Sequence, residues 1–296
     1  MEKTVLICHR KSANRPEVKA AVKAVRKKGV ELRVLVPFNK KEKPRVVQEA
    51  LDRGAERIIA GGGDGTINAV ARALVGDGSS PPAATLGVLP LGTANDFARG
   101  CGLPVGDLPA CLEIAATCDA KFIDVGEVNG RHFINVASGG FGAEITATTP
   151  VDLKRALGGG AYALMGLIKA ASLSPYPVTL KVPGEAPQEG GMLFMAVGNN
   201  RFAGGGFDVA SHSDMTDGQL DVAAILEGPG LDPVRLKREL DDPLNPENLN
   251  VFYRQLAGFC IESPDKLHCN LDGEPYLSRK LAFSVLPKHL GVAIPR

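Results

Sequence analysis

A chain of 296 residues, 44% hydrophobic and 23% charged, is long enough to bury most of its apolar surface, and its balance excludes a disordered or collagen-like polymer. Its longest mainly apolar run, residues 161–173, is interrupted by Lys169 and falls short of the ~20 residues of a bilayer-spanning helix. The net charge of +1 conceals an asymmetry: residues 1–57 hold sixteen Lys/Arg against seven Asp/Glu, net +9, which leaves −8 for the remainder.

A basic first lobe suits an anionic nucleotide or an anionic membrane surface, and also a set of solvated helix faces. The opening MEKTVLICHR shows no charged-then-apolar signal pattern, so a cytoplasmic protein is expected. The six cysteines include no CxxC pair and predict buried free thiols in a reducing compartment. The five histidines form no ligand pair, so no histidine metal site is expected.

Val5–Cys8 predicts a strand. Pro16 opens a helix through Val18, Ala21, Val22 and Val25, which Gly29 stops. The alternation continues with strands at Leu32–Val36, Arg57–Ala60 and Leu86–Leu89, and with helices at Pro44–Asp52, Thr66–Val75, Ala94–Arg99 and Leu108–Thr117. Strands alternating with helices imply an α/β domain with a parallel sheet, placed at residues 1–124. In residues 125–296 the predicted elements are mostly strands joined by turns: Phe133–Ala137, Val178–Val182, Leu193–Val197, Leu220–Leu226, Phe259–Glu262, Leu267–Leu271 and Leu281–Val285. Helices are expected at Leu153–Leu173, which packs on its own domain or touches a membrane, and at Asp232–Leu240, with a capping aspartate and an early proline. The second domain is therefore mainly antiparallel and β-sandwich-like, its last residues returning to the first domain.

The segment IIAGGGDGTINAV (Ile58–Val70) is a strand, a glycine loop and a helix start. Adjacent glycines let backbone N–H groups approach phosphate oxygens, and the helix dipole points to the same place. The loop is neither GxGxxG nor a Walker A sequence: an aspartate, Asp64, stands where a cation would. A carboxylate beside a polyphosphate repels it unless a cation bridges them, so Asp64 argues for magnesium; a turn with Asp64 capping the helix is the plainer alternative. One unit later GVLPLGTANDFARG (Gly87–Gly100) repeats the design, and both loops fall at strand carboxyl ends, facing one crevice. Thr93 is placed to donate to phosphate or ribose, and Asp96 either faces the metal or acceptor alcohol or caps the helix.

GGGDGTINAV followed by LPLGTANDFA resembles the diacylglycerol kinase catalytic family, in particular the bacterial YegS-like lipid kinases. The resemblance extends through FINVASGGFGAEI, AGGGFDVA, DMTDGQLDV and NLDGEP, nearly the whole chain. It implies an ATP- and Mg²⁺-dependent transfer of the γ-phosphoryl group to a hydroxyl of a membrane lipid such as diacylglycerol or a phosphatidylglycerol-like lipid. A role in phospholipid biosynthesis, peripheral contact with the inner face of the membrane and no nucleic-acid partner go with it. Carried onto this chain, the nucleotide site is Gly62, Gly63, Asp64, Gly65, Thr66, Ile67 and Asn68 with Thr93 and Asp96, and the general base is Glu274. The family's additional metal site falls on Asp214, Asp217 and Gln219, a donor set suited to Mg²⁺ or Ca²⁺. Without the resemblance, DGEP reads as a hairpin turn and residues 214–221 as a solvated turn. Where close relatives have a nucleotide-contacting threonine after the second strand, this chain has Pro37. A kinase for a soluble acceptor and a non-catalytic nucleotide-binding regulator are the alternatives.

Overall fold

The computed structural model describes residues 3–140, 174–228 and 232–295. The first half runs β1 (Thr4–Cys8), α1 (Arg10–Ala13), α2 (Pro16–Lys27), β2 (Leu32–Leu35), α3 (Lys43–Asp52), β3 (Arg57–Gly62), α4 (Asp64–Val75), β4 (Thr85–Pro90), α5 (Asp96–Gly100) and α6 (Leu108–Thr117). Its four strands are parallel, in the order β4-β3-β1-β2. β1, β3 and β4 are buried nearly along their length because both faces of the sheet are covered: α2 lies against α6 and α3 against α4. Proline opens α2, whose Val18, Val22 and Val25 are buried, each worth roughly 1.5–3 kcal/mol against exposure. Gly29, at φ +90°, turns the chain after its end.

The second half continues with β5 (Ala120–Val128), β6 (Arg131–Phe133), β7 (Val136–Gly140), β8 (Tyr176–Lys181), β9 (Gln188–Gly198), β10 (Phe202–Ala203), β11 (Phe207–Asp208) and β12 (Leu220–Leu226). Then follow α7 (Pro233–Asp241), β13 (Val251–Leu256), β14 (Gly258–Leu271) and β15 (Glu274–Ala293). Pairing here is antiparallel, in the order β13-β12-β9-β7-β14-β15, with β8 against β9 and β14. A second core gathers Phe133, Met195, Val197, Phe259 and Phe283; the last two rings stack at 4.7 Å. β15 joins the halves, running antiparallel to β5 and ending parallel to β4 with Val292 opposite Leu86. No helix among the described residues is long and apolar enough to cross a membrane.

Three expected elements differ. The strand expected at Phe133–Ala137 breaks at Ile134 and Asn135, because the N–H groups of Ile134, Asn135 and Val136 go to the carboxylate of Asp272 instead of a ladder. The strands expected at Phe259–Glu262 and Leu267–Leu271 are one strand, β14, whose pairing with β15 shifts register between Glu262 and Leu267; Pro264 lies in the irregular stretch. The helix expected from Ala94 starts at Asp96, since Asn95 takes a left-handed conformation, φ +53°. The run Leu153–Leu173 lies outside the described residues. In α7 the Asp232 side chain accepts from the N–H groups of Val234 and Arg235, the expected cap.

Candidate functional site

The two glycine loops leave the carboxyl ends of neighbouring strands, β3 and β4, and touch. A Cβ on Gly92 would stand 2.5 Å from the Gly63 Cα, so the contact requires glycine. Asn95 fixes the second loop by accepting from the Gly92 N–H at 2.9 Å and donating to the Gly92 carbonyl at 3.0 Å. Between the loops, Asp64 accepts from the Phe97 N–H at 3.1 Å, which ties the start of α4 to α5. The start of α4 has no side-chain cap, so its first N–H groups keep the orientation and partial positive charge that suit an anion. Thr66 accepts a hydrogen bond from the Lys43 ammonium at 3.2 Å. Gly62 lies against the Thr66 side chain. Ile67 and Asn68 are buried, and the Asn68 Oδ1 has no partner among the described residues. Thr93 is exposed on the second loop. Pro37 is buried and the next residue, Phe38, is 92% exposed.

Asp96 is drawn elsewhere. At 4% exposure, its two oxygens accept from the N–H groups of Gly205 and Gly206 at 2.9 and 2.6 Å, so it grips the glycine turn between β10 and β11 in the second half. Burial, and the negative charge of Asp64, hold its carboxyl above the ordinary range, against the pull of those two hydrogen bonds.

Glu274 comes from the two-residue turn between β14 and β15, in which Asp272 (φ +49°) and Gly273 (φ +94°) both take left-handed conformations, the geometry of a tight hairpin. Its exposed carboxylate pairs with Arg72 of α4, about two helical turns, roughly 12 Å of rise, beyond Asp64. Asp272 is the anchor of this turn. Burial pushes its carboxyl up to about 6, the three N–H groups of residues 134–136 pull the other way, and Asp64 adds to the rise. Asp64 thus lies within electrostatic reach of both Asp96 and Asp272, which come from other parts of the chain.

The acidic loop is organised by Asp124 of β5, which is fully buried. Its carboxylate accepts from the N–H groups of Gly218 at 2.7 Å and Lys288 at 2.6 Å, and its own N–H donates to the Met215 carbonyl at 2.6 Å. Asp214 accepts from the Thr216 N–H and hydroxyl, and Asp217 from the Gln219 N–H. Burial, then the charges of Asp214 and Asp124, raise the Asp217 carboxyl. Among the described residues no three His, Cys, Asp or Glu side chains converge as a metal site; the carboxylates of this loop are donors of the kind that suits a hard divalent cation.

Four residues outside the expected set carry this geometry: Asp124, Asp272, Asn199 and Asn200. The Asn199 side chain donates to the Asp124 and Ile134 carbonyls at 3.0 and 2.9 Å. Asn200 donates to the Phe97 carbonyl at 3.4 Å and packs on Gly100, where a Cβ would clash. Two consecutive asparagines after an apolar strand are a signal that a polar staple is needed, but their partners are 65 or more residues away.

Known proteins resemble the chain over both of its halves. Residues 3–128 match the family described as the diacylglycerol kinase catalytic domain, and residues 135–294 the YegS C-terminal NAD kinase beta sandwich-like domain. A Pseudomonas aeruginosa protein named "Probable lipid kinase YegS-like" is 42% identical over 99% of this chain and 95% of its own length. An Escherichia fergusonii protein named "Probable lipid kinase YegS" is 39% identical over 99% and 96%. A crystal structure from Bacillus anthracis titled as a diacylglycerol kinase shares the fold, with a TM-score of 0.75 at 20% identity over 99% of this chain and 97% of that one.

Proposed function

The chain belongs to the diacylglycerol kinase family, with the second domain of its YegS-type lipid kinases, and from that premise we propose that it transfers the γ-phosphoryl group of ATP to a hydroxyl of a membrane lipid. The observation that carries the reading is the contact of two glycine loops at an uncapped helix start, with Glu274 arriving from the other half of the chain on the same helix. The N–H groups around Gly62, Gly63 and Gly65 and the hydroxyls of Thr66 and Thr93 orient the phosphates, with Ile67 and Asn68 fixing the helix start from the buried side. Asp64 suits a nucleotide that brings Mg²⁺, since its charge already disturbs Asp96 and Asp272; the ion supplies neutralisation of the phosphate oxygens. Asp96 holds the β10–β11 turn over the loops. Glu274 accepts the proton of the lipid hydroxyl as its oxygen bonds to the γ-phosphorus and the bond to ADP breaks. Asp214, Asp217 and the carbonyl of Gln219 would hold a second cation, Mg²⁺ or Ca²⁺, whose charge would offset the clustered carboxylates of the loop. The acceptor is a diacylglycerol or phosphatidylglycerol-like lipid, reached by peripheral contact at the inner membrane surface.

The test is incubation with γ-labelled ATP, Mg²⁺ and mixed-lipid micelles, with label separated between organic and aqueous phases. Organic label is expected, and Glu274→Ala should reduce it by about 10²–10⁴-fold. Undiminished turnover in that variant removes Glu274 as base. Aqueous label with ATP consumed shifts the reading to a soluble acceptor, and nucleotide bound but unconsumed to a regulator.

A further inference from the structure

The glycine loop carries an acid, Asp64, where a Walker-type loop carries its lysine, yet a cation reaches it from another helix. Lys43 is the first residue of α3 and is only 8% exposed. Its ammonium stands 3.2 Å from the Thr66 Oγ1, in the first turn of α4, against which α3 packs. An ammonium carries three donors, and a polyphosphate on the uncapped start of α4 would bring anionic oxygens beside it, an attraction strengthened by partial burial. The same hydrogen bond orients Thr66, because a hydroxyl that accepts from an ammonium has its own hydrogen left to donate.

We propose that Lys43 is a phosphate-binding residue of the nucleotide site: its ammonium donates to the nucleotide's phosphate oxygens over Gly63–Thr66 and restores the positive charge that Asp64 takes from the loop. This inference rests on the reading of the loop as a nucleotide site. Lysine acts here as a compact point charge, so recognition follows phosphate charge and is indifferent to the base.

Equilibrium binding of ATP, ADP and adenosine to the wild type, Lys43→Met and Lys43→Arg tests it. Lys43→Met should lose at least tenfold in affinity for ATP and ADP with adenosine unchanged, and Lys43→Arg should recover most of the loss. A Lys43→Met protein that binds ADP as the wild type does overturns the proposal and leaves the loop reading standing. A wild type that binds none of the three, or adenosine as well as ADP, overturns both. If Lys43→Met does not fold, amine acetylation of the wild type read by mass spectrometry decides: ADP should slow modification of Lys43 and adenosine should not, and equal rates with and without ADP refute it.

Discussion

The start of α4 after Gly63 leaves its first N–H groups without a side-chain cap, whereas three turns elsewhere in the chain are held by carboxylates that take N–H groups up. Asp96 receives two from Gly205 and Gly206, Asp272 three from residues 134–136, and Asp124 those of Gly218 and Lys288. A donor-rich surface must stay unsatisfied until a ligand arrives, so it needs small residues and close packing. An acceptor-rich framework must be satisfied in advance, because a buried carboxylate without partners is costly. On the proposed reading the uncapped helix start would serve the ligand, while the carboxylates fix turns that bring distant parts of the chain together.

The sharpest way to break this contrast is Asp272→Asn. Asparagine tolerates the positive φ of 49°, so the turn keeps its shape while one acceptor oxygen becomes a donor facing an N–H. An unsatisfied pair of this kind in a half-buried turn costs roughly 1–2 kcal/mol, expected as a lower urea midpoint with unchanged slope. Turnover should fall as well, since Glu274 is two residues away. A variant as stable as the wild type would mean that the three hydrogen bonds to residues 134–136 do not hold the turn.

The donor side is sharpened by a pair of glycines. Gly92→Ala puts a Cβ against the Gly63 backbone and the Asn95 side chain, so the loops must separate; ATP affinity should drop about tenfold, ~1.4 kcal/mol, together with stability. At Gly65, inside α4, an added Cβ meets nothing within 4 Å, and alanine in a helix gains about 0.5–1 kcal/mol over glycine. Gly65→Ala should therefore raise the melting temperature while weakening ATP binding. A rise in both would show that Gly65 serves neither packing nor ligand approach.

The same contrast explains what was legible in the sequence. The parallel sheet, its helices and both glycine loops follow from local patterns: apolar runs, a proline at a helix start, glycines where the backbone must come close. The DG turn that presents Glu274 was legible for the same reason. The role of Asp272 in that turn was not, because its three partners lie 136–138 residues away. The unexpected strand β5 belongs here too: it pairs with β15 more than 150 residues later, and nothing in AKFIDVGEV alone says which neighbour completes it. β13 escaped because VFYRQL alternates weakly, and only its pairing to β12 makes it a strand.

The smallest expected effect concerns a carboxylate on the acceptor side that lies away from the crevice. Asp221 of β12 is fully buried, receives the Tyr253 hydroxyl, and has a second oxygen without a partner among the described residues. Burial pushes it up to about 6, against the hydrogen bonds from Tyr253 and Gln255, while an unfolded aspartate titrates near 3.9. Between those values the native state binds the extra proton, so this group's contribution to stability is present below about pH 4 and is lost as pH rises through about 6. Between pH 7.5 and pH 5 the wild type should therefore gain about 1 kcal/mol relative to Asp221→Asn, which has no proton to take up. Urea unfolding of both proteins at the two pH values reads this difference directly. Parallel curves would show that Asp221 titrates in the folded chain as it does in the unfolded one, and that its framework, unlike that of the crevice, is indifferent to charge.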